Sequence, residues 1–119
     1  MSNGPFSPSQ LQERLTQFAI SVCKNLSPKR RDPVSEHLTL QLIRSSTSPG
    51  AGYSEARDAE SRRDFIHKMK ICLKELRETY FWLQFKSGVT SRDSNDEALM
   101  KECDELIAIF VASIRTARK

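Results

Sequence analysis

The sequence lacks the features of a membrane or secreted protein. No apolar run approaches the ~20 residues that a helix needs to cross a bilayer. The first ten residues, MSNGPFSPSQ, contain no positively charged segment followed by an apolar stretch, so we predict no secretory signal and expect a cytoplasmic protein. The three cysteines, Cys23, Cys72 and Cys103, are scattered and form no CxxC pair. They therefore argue against a disulfide framework or a zinc site and fit a reducing compartment.

Residues that could carry out catalysis are also scarce. The chain has only two histidines, and none of its serines lies in a Gly-x-Ser-x-Gly motif. Gly50-Ala51-Gly52 lacks the third glycine of a dinucleotide-binding fingerprint. Cys72 and Cys103 fall among apolar residues at helical spacing, where a thiol normally packs as a small hydrophobic group. We therefore predict no catalytic residue, no cofactor and no enzymatic activity.

One pair of residues resembles part of a metal site. Asp64 and His67 are one helical turn apart, the spacing of the Glu-x-x-His motif in di-iron helical bundles. That chemistry needs a second such pair, and the other histidine, His37, has Val34 at the matching position. We therefore favour a structural role over metal binding, with Asp64 capping a helix and His67 bonding across an interface.

The composition of the 119 residues predicts a single globular domain. Hydrophobic residues make up 38% of the chain and charged residues 29%, which is typical of a soluble protein with one core. We expect one domain over residues 1–119, with residues 1–7 flexible. The formal net charge of +4 permits contact with nucleic acid but does not require it.

Helix-capping signals divide the chain into four segments. The predicted starts are Ser7 with Gln10, Asp32 before Pro33, Ser61 with Asp64, and Ser94 with Glu97. Ser27-Pro28 should end the first helix. Pro49 and its neighbouring glycines should kink or interrupt the second, with a short helical continuation to about Asp58. Gly88 is predicted to cap the third. Four amphipathic helices joined by short loops predict an all-α, antiparallel four-helix bundle.

The third helix has two apolar faces. The expected core stripe consists of Phe65, Met69, Cys72, Leu76, Tyr80 and Leu83. The opposite side, here called the second face, contains Asp64, His67, Ile71, Glu78, Phe81, Trp82 and Phe85. A contiguous exposed apolar patch usually marks an interface, and tryptophan is favoured in such patches. Coverage by loops or by the second helix within one chain is the alternative. We predict that the second face is a subunit interface of a homo-oligomer.

Basic residues lie between the two faces of the third helix. Arg63, Lys70, Lys74 and Arg77 form this basic edge, and Arg115, Arg118 and Lys119 follow at the C-terminal end of the fourth helix. Such charges can simply solvate a helix or complement its dipole. In an oligomer, however, each subunit repeats the edge and the positive potential adds up. We therefore hypothesise that these seven residues bind nucleic acid.

Three segments carry a resemblance to a known family. They are RSSTSPGAGYSEA (44–56), SRRDFIHKMKICLKELRETYFWL (61–83) and ECDELIAIFVASIRTARK (102–119). From about Phe18 to the end, the chain resembles the four-helix-bundle proteins first recognised in intervening sequences of bacterial large-subunit ribosomal RNA genes. Family members commonly read Gly-Thr-Ser-apolar-Gly-Ala-Asn where this chain reads STSPGAG (46–52). The departures are Pro49, which favours a kink, and Gly52, which lacks a side-chain amide.

The resemblance implies an up-and-down four-helix bundle that assembles into a ring-like homopentamer. A related group, the accessory variability proteins of diversity-generating retroelements, forms similar basic pentameric barrels that bind a reverse transcriptase and nucleic acid. Two functional hypotheses follow. The first is a non-enzymatic oligomer that binds RNA or DNA, and the second is an adaptor ring for a protein partner such as a polymerase or reverse transcriptase.

Overall fold

The computed structural model is built from four α-helices. They are α1 (Pro8–Lys24), α2 (Pro33–Arg57), α3 (Arg62–Val89) and α4 (Ser94–Ala117). The structure describes residues 6–26, 32–90 and 94–119, and these contain no β-strand. Within these ranges no helix is apolar over enough of its length to span a bilayer. The predicted all-α class with four helices is confirmed.

Local capping determines where the first three helices begin. Ser7 and Gln10 form the predicted box: the Gln10 N–H donates to Ser7 Oγ at 3.2 Å, and the Ser7 N–H donates to Gln10 Oε1 at 2.9 Å. Asp32 and Ser61 each accept a hydrogen bond from the backbone N–H three residues later, at 2.9 and 3.0 Å. Each cap satisfies an N–H that the helix itself leaves unpaired, which stabilises the fold by about 1 kcal/mol. The predicted stop at Ser27-Pro28 and what precedes α4 lie outside the described residues.

The prediction that Pro49 interrupts the second helix is wrong. α2 continues through Pro49 to the last turn before Asp58, as its predicted continuation required. Hydroxyl groups beside the proline bond the carbonyls one turn earlier: Thr47 Oγ1 donates to the Ile43 carbonyl, and Ser48 Oγ to the Arg44 carbonyl, both at 2.7 Å. The proline side chain is itself buried. Neither hydroxyl bonds the Ser45 carbonyl, which loses its helical donor at Pro49, so α2 tolerates this lost bond at a buried proline.

The two glycines after Pro49 bring α2 close to its neighbours. A Cβ atom added at Gly52 would lie 2.7 Å from Cys72 Sγ, closer than any real contact of this kind. The carbonyl of Gly50 accepts a hydrogen bond from Gln12 Nε2 at 2.8 Å, which joins α2 to α1. The family departure at Gly52 therefore has a physical reason, since the backbone of α2 lies directly against a side chain of α3.

Gly88 does not cap α3, contrary to prediction. It lies inside the helix, and none of the described glycines has a positive φ. Thr90 is the C-terminal cap, with its N–H and its Oγ1 both donating to the Lys86 carbonyl, at 2.9 and 2.7 Å. Because Thr90 closes the helix in an extended conformation, no left-handed glycine is needed.

Side chains from all four helices fill one core. α2 and α4 each lie next to both α1 and α3, and the diagonal pair α2 and α4 meets through side chains, as the Tyr53 ring does with the Phe110 ring. The largest side chains that are almost completely buried are Phe110, Leu15, Leu42, Met69, Leu76, Leu83, Leu106 and Val22. Burial of each such side chain stabilises the fold by roughly 1.5–3 kcal/mol.

Two polar clusters fasten α4 to its neighbours. Asp96 is 1% exposed and accepts hydrogen bonds from Lys86 Nζ at 2.6 Å and Asn25 Nδ2 at 3.0 Å, which joins α4 to α3 and to the end of α1. Further along, Arg14 of α1 forms ion pairs with Glu102 and Glu105 of α4, both at 2.7 Å. Sequence reasoning missed both clusters, because their members are far apart in the chain.

Candidate functional site

The acidic residues of α3 are all neutralised within the chain. Asp64 pairs with Lys68 at 2.6 Å. Glu75 pairs with Arg44 of α2 at 2.9 Å, and the same guanidinium contacts Glu78. All three carboxylates of the helix therefore have a basic partner, and two of them use it to bind α3 to α2.

Most basic residues of α3, by contrast, have no such partner. Of its seven lysines and arginines, only Lys68 and Lys86 form ion pairs with residues that the structure describes. The other five are exposed: Arg62, Arg63, Lys70, Lys74 and Arg77. All of them except Arg62 belong to the predicted basic edge. The outward side of α3 thus carries positive charge that its own carboxylates do not neutralise.

The end of α4 adds three more exposed bases without ion pairs in the described ranges: Arg115, Arg118 and Lys119. Lys119 and Thr116 line the same cleft as Arg62, so this end of α4 lies beside the start of α3. Arg77 lies 14 residues after Arg63, or roughly 21 Å further along the helix axis. The predicted basic residues therefore extend from one end of the molecule along the outward side of α3.

The apolar members of the second face are largely exposed. The exposed fraction is 48% for Ile71, 52% for Phe81 and 39% for Phe85. Phe81, Trp82 and Phe85 form one aromatic cluster, with ring centroids 4.9 Å apart for Phe81 and Trp82 and 5.8 Å apart for Trp82 and Phe85. No loop or helix of the described chain covers Phe81, so the geometry leaves room for a partner at this face.

Trp82 differs from its neighbours because α2 covers it in part. Its ring meets the edge of His37 with centroids 5.5 Å apart, and its indole N–H donates to Glu78 Oε2 at 3.2 Å. Coverage by the second helix, the alternative considered above, therefore holds in part for Trp82. α2 also exposes Val34 (49%) and Leu40 (65%), which sequence reasoning did not assign to a surface. Leu40 lies on the side of α2 opposite the buried Leu38 and Leu42, so helical spacing was the available signal for it.

Asp64 and His67 do not belong to a larger group of metal-ligating side chains in the described residues. Asp64 accepts hydrogen bonds from Lys68 Nζ at 2.6 Å and from the Glu60 N–H at 3.2 Å, and the Lys68 bond is the main reason that its pKa lies below the usual range. His67 is exposed and bonds nothing within the described chain. No group of three or more metal-ligating side chains occurs in those residues. A bond from His67 across an interface remains a prediction.

The two buried thiols are not activated as nucleophiles. Burial raises the pKa of Cys72 to about 11 and that of Cys103 to about 12. Both thiols therefore stay protonated at neutral pH, and Cys103 Sγ donates to the Leu76 carbonyl at 3.2 Å. The expectation that the protein is not an enzyme is consistent with this chemistry and remains a prediction.

A family comparison identifies the chain. The sequence model of the 23S rRNA-intervening sequence proteins matches residues 9–112. The chain belongs to this family. The resemblance drawn from the three sequence segments is thereby confirmed, and it extends to α1 as well. No match is found among curated proteins.

A solved structure supports the same assignment to the 23S rRNA-intervening sequence family. It is the 1.70 Å crystal structure of a protein with unknown function from the S23 ribosomal protein family of Bacteroides thetaiotaomicron VPI-5482. The TM-score is 0.80 at 28% sequence identity, over 91% of this chain and 97% of that one. Neither comparison names a ligand or a reaction, so the function has to be argued from the charge and exposure of the residues described above.

Proposed function

We propose that this 23S rRNA-intervening sequence family member is a non-enzymatic protein that binds nucleic acid, RNA or DNA, through phosphates along the outward side of α3. The unequal pairing of charges on that helix carries the proposal: every carboxylate has a basic partner, while five bases form no ion pair with the residues that the structure describes. Lysines and arginines that neutralise phosphates release counterions, which supplies affinity without reading base identity. Arg115, Arg118 and Lys119 extend this surface.

Salt dependence tests phosphate binding directly. Fluorescence anisotropy with labelled single-stranded RNA and duplex DNA, measured over a series of salt concentrations, should give a linear fall of log K with log salt concentration. The expected slope is about −0.7 per neutralised phosphate for single strands and about −0.9 for duplex DNA. Binding that stays in the high-micromolar range at low salt, or that does not respond to salt, contradicts the proposal.

A matched pair of variants locates the binding surface. Lys70→Gln with Lys74→Gln removes two charges from the basic edge, and adding Arg77→Gln removes a third. Lys24→Gln with Lys101→Gln removes two exposed charges from α1 and α4 instead. The basic-edge variant should lower both the affinity and the salt slope, the latter by about 0.7–0.9 per lost contact. Equal effects of the two pairs would indicate net charge rather than a defined surface.

We also propose that the four helices form an antiparallel, up-and-down bundle that assembles into a ring-like homo-oligomer, a pentamer as the resemblance implies. The order of contacts supports the first part, since Asn25 meets Asp96 while Arg14 meets Glu105. The exposure of Ile71, Phe81 and Phe85 supports the second. A folded monomer has no reason to leave this apolar surface in water.

Light scattering tests the assembly. Phe81→Glu should dissociate the oligomer and keep the helical circular dichroism signal, because Phe81 is 52% exposed. Trp82→Glu should dissociate it as well, but it also removes a contact with α2. Ile20→Glu, at a residue of α1 that is 39% exposed, is the matched control and should leave the oligomer intact. A wild-type protein that is monomeric would remove the premise.

A protein-binding adaptor is the second candidate, favoured by the aromatic cluster of Phe81, Trp82 and Phe85. Aromatic side chains are enriched where proteins recognise one another. A polymerase or reverse transcriptase is the kind of partner that the resemblance to the retroelement accessory proteins implies. Pull-down from the native host separates the two candidates: a stoichiometric protein that stays bound after nuclease treatment supports the adaptor, and loss of all partners on nuclease treatment supports nucleic-acid binding.

A further inference from the structure

A cleft of 960 Å³ lies at the end of the molecule where α1 and α3 begin and α2 and α4 end. Its floor is apolar and includes Leu11, Ala56 and Met69, all of them buried. The volume is within the range of small-molecule sites, which is roughly 300–1,000 Å³. The cleft shares Arg62 and Lys119 with the nucleic-acid surface proposed above, while its apolar floor belongs to neither the basic edge nor the second face.

The charged residues around the cleft are all of one sign. The cleft is lined by the bases Arg57, Arg62 and Lys119, and none of the described aspartates or glutamates lines it. All three bases are exposed and form no ion pair with any residue in the described ranges. Because two helix starts and two helix ends meet here, the helix dipoles oppose one another. The side chains therefore decide the charge, and the cleft combines an apolar floor with a positive rim.

Tyr53 supplies a polar group inside the apolar part. Its side chain lines the cleft, it is 6% exposed, and its ring packs against the edge of Phe110 with centroids 5.8 Å apart. The hydroxyl makes no hydrogen bond to any part of the chain that the structure describes, and it is not one of the fully buried polar atoms, so it is accessible from the cleft. Burial raises the pKa of Tyr53, and the positive charge of Arg57 lowers it. The Arg57 guanidinium and the Tyr53 hydroxyl therefore interact electrostatically.

We propose that this cleft binds an amphipathic organic carboxylate. The apolar chain of the ligand would lie on the floor beside Leu11 and Met69, and its carboxylate would meet the Arg57 guanidinium and accept a hydrogen bond from the Tyr53 hydroxyl. Arg62 and Lys119 add positive charge at the rim. A carboxylate fits because the cleft offers hydrogen-bond donors and cations but no acidic side chain.

Three probes of related structure test the ligand class. Octanoate has both the apolar chain and the carboxylate of the proposed ligand, octan-1-ol has only the chain, and acetate has only the carboxylate. Each is titrated against the intact protein by calorimetry and by NMR shifts. Octanoate should saturate one site per chain. Octan-1-ol, which lacks the carboxylate, and acetate, which lacks the apolar chain, should each bind at least about tenfold more weakly. Equal affinity for octanoate and octan-1-ol, or no saturable octanoate site, overturns the proposal.

Variants test which residues hold the carboxylate. Tyr53→Phe keeps the ring and its contact with Phe110, so a residue with only a packing role would leave octanoate binding unchanged. We expect Tyr53→Phe and Arg57→Gln each to weaken octanoate binding about tenfold while the helical signal is kept. Lys101→Gln, an exposed base of α4 that does not line the cleft, should leave binding unchanged. An unchanged affinity in both Tyr53→Phe and Arg57→Gln contradicts the assignment.

Discussion

The inner and outer sides of α3 differ in the burial and the pairing of their side chains. On the inner side Thr79 is fully buried and donates to the Glu75 carbonyl at 2.8 Å, Lys86 reaches Asp96, and Cys72 lies against the backbone of Gly52. On the outer side, five bases have no ion pair within the described chain, and phenylalanines face solvent. The inner side of α3 therefore determines stability, because an unpaired polar group is costly where it is buried. The outer side is available for binding.

Loss of the buried carboxylate should have the largest effect on the inner side. Asp96→Ala leaves the ammonium group of Lys86, a side chain that is 14% exposed, without its partner. We expect the free energy of unfolding to fall by about 3–5 kcal/mol in urea denaturation. Asp104→Ala, at an exposed residue of the same helix, is the control and should change it by less than about 0.5 kcal/mol. Similar losses in the two variants would contradict a structural role for the cluster.

The close approach of α2 to α3 predicts a smaller effect. Gly52→Ala places a Cβ atom 2.7 Å from Cys72 Sγ and should cost about 1–3 kcal/mol of unfolding free energy. Combining it with Cys72→Ala should recover part of that loss, because the smaller side chain makes room. Gly88→Ala meets no atom within 4 Å and should instead stabilise the helix by up to about 1 kcal/mol. Thermal unfolding of the three variants measures the set, and equal effects at the two glycines would exclude the close contact.

The thiols of the inner side should respond to pH. The folded pKa of Cys72 is raised to about 11 and that of Cys103 to about 12, so the unfolded chain loses these protons first as the pH rises. Stability from these two groups is therefore present below about pH 9 and declines from there toward pH 12. A urea series at increasing pH measures the decline, and Cys72→Ala with Cys103→Ala should flatten it.

Changes on the outer side should affect stability least. Replacing Lys70, Lys74 and Arg77 together by glutamine removes exposed side chains that make no ion pair in the described ranges, so the free energy of unfolding should stay within about 0.5 kcal/mol of the wild type. The same protein should bind nucleic acid more weakly. A large loss of stability would show that the basic edge is part of the fold and would remove the contrast between the two sides.

Sequence patterns predicted the helices well where the signals are local. Ser7, Asp32 and Ser61 were recognised as caps because a helix start depends on residues only three apart. The interruption predicted at Pro49 and the cap predicted at Gly88 were wrong, because each depends on more than the local pattern. A proline is tolerated where its ring is buried, and a glycine cap is unnecessary where Thr90 closes the helix, and neither condition can be seen from nearby residues.

The candidate surfaces were predictable in part. Exposure of Ile71, Phe81 and Phe85 followed from helical periodicity, since residues on the side opposite the core stripe must face outward. Which charges are free did not follow, because Glu75 and Glu78 are neutralised by Arg44, 31 and 34 residues earlier in the chain. The cleft around Tyr53 was missed altogether, since four helix ends contribute to it.

Sequence patterns alone were enough to predict the all-α class, the starts of three helices and most of the core stripe, because these depend on capping chemistry and on a period of 3.6 residues, and three resembling segments indicated the family. The packing of the helices was needed to show that α2 passes through Pro49, that Asp96 is bonded by Lys86 and Asn25, and that Tyr53 lines a cleft between helix ends. Each of these outcomes depends on which residues meet across helices, and helical spacing along one chain carries no record of such distances.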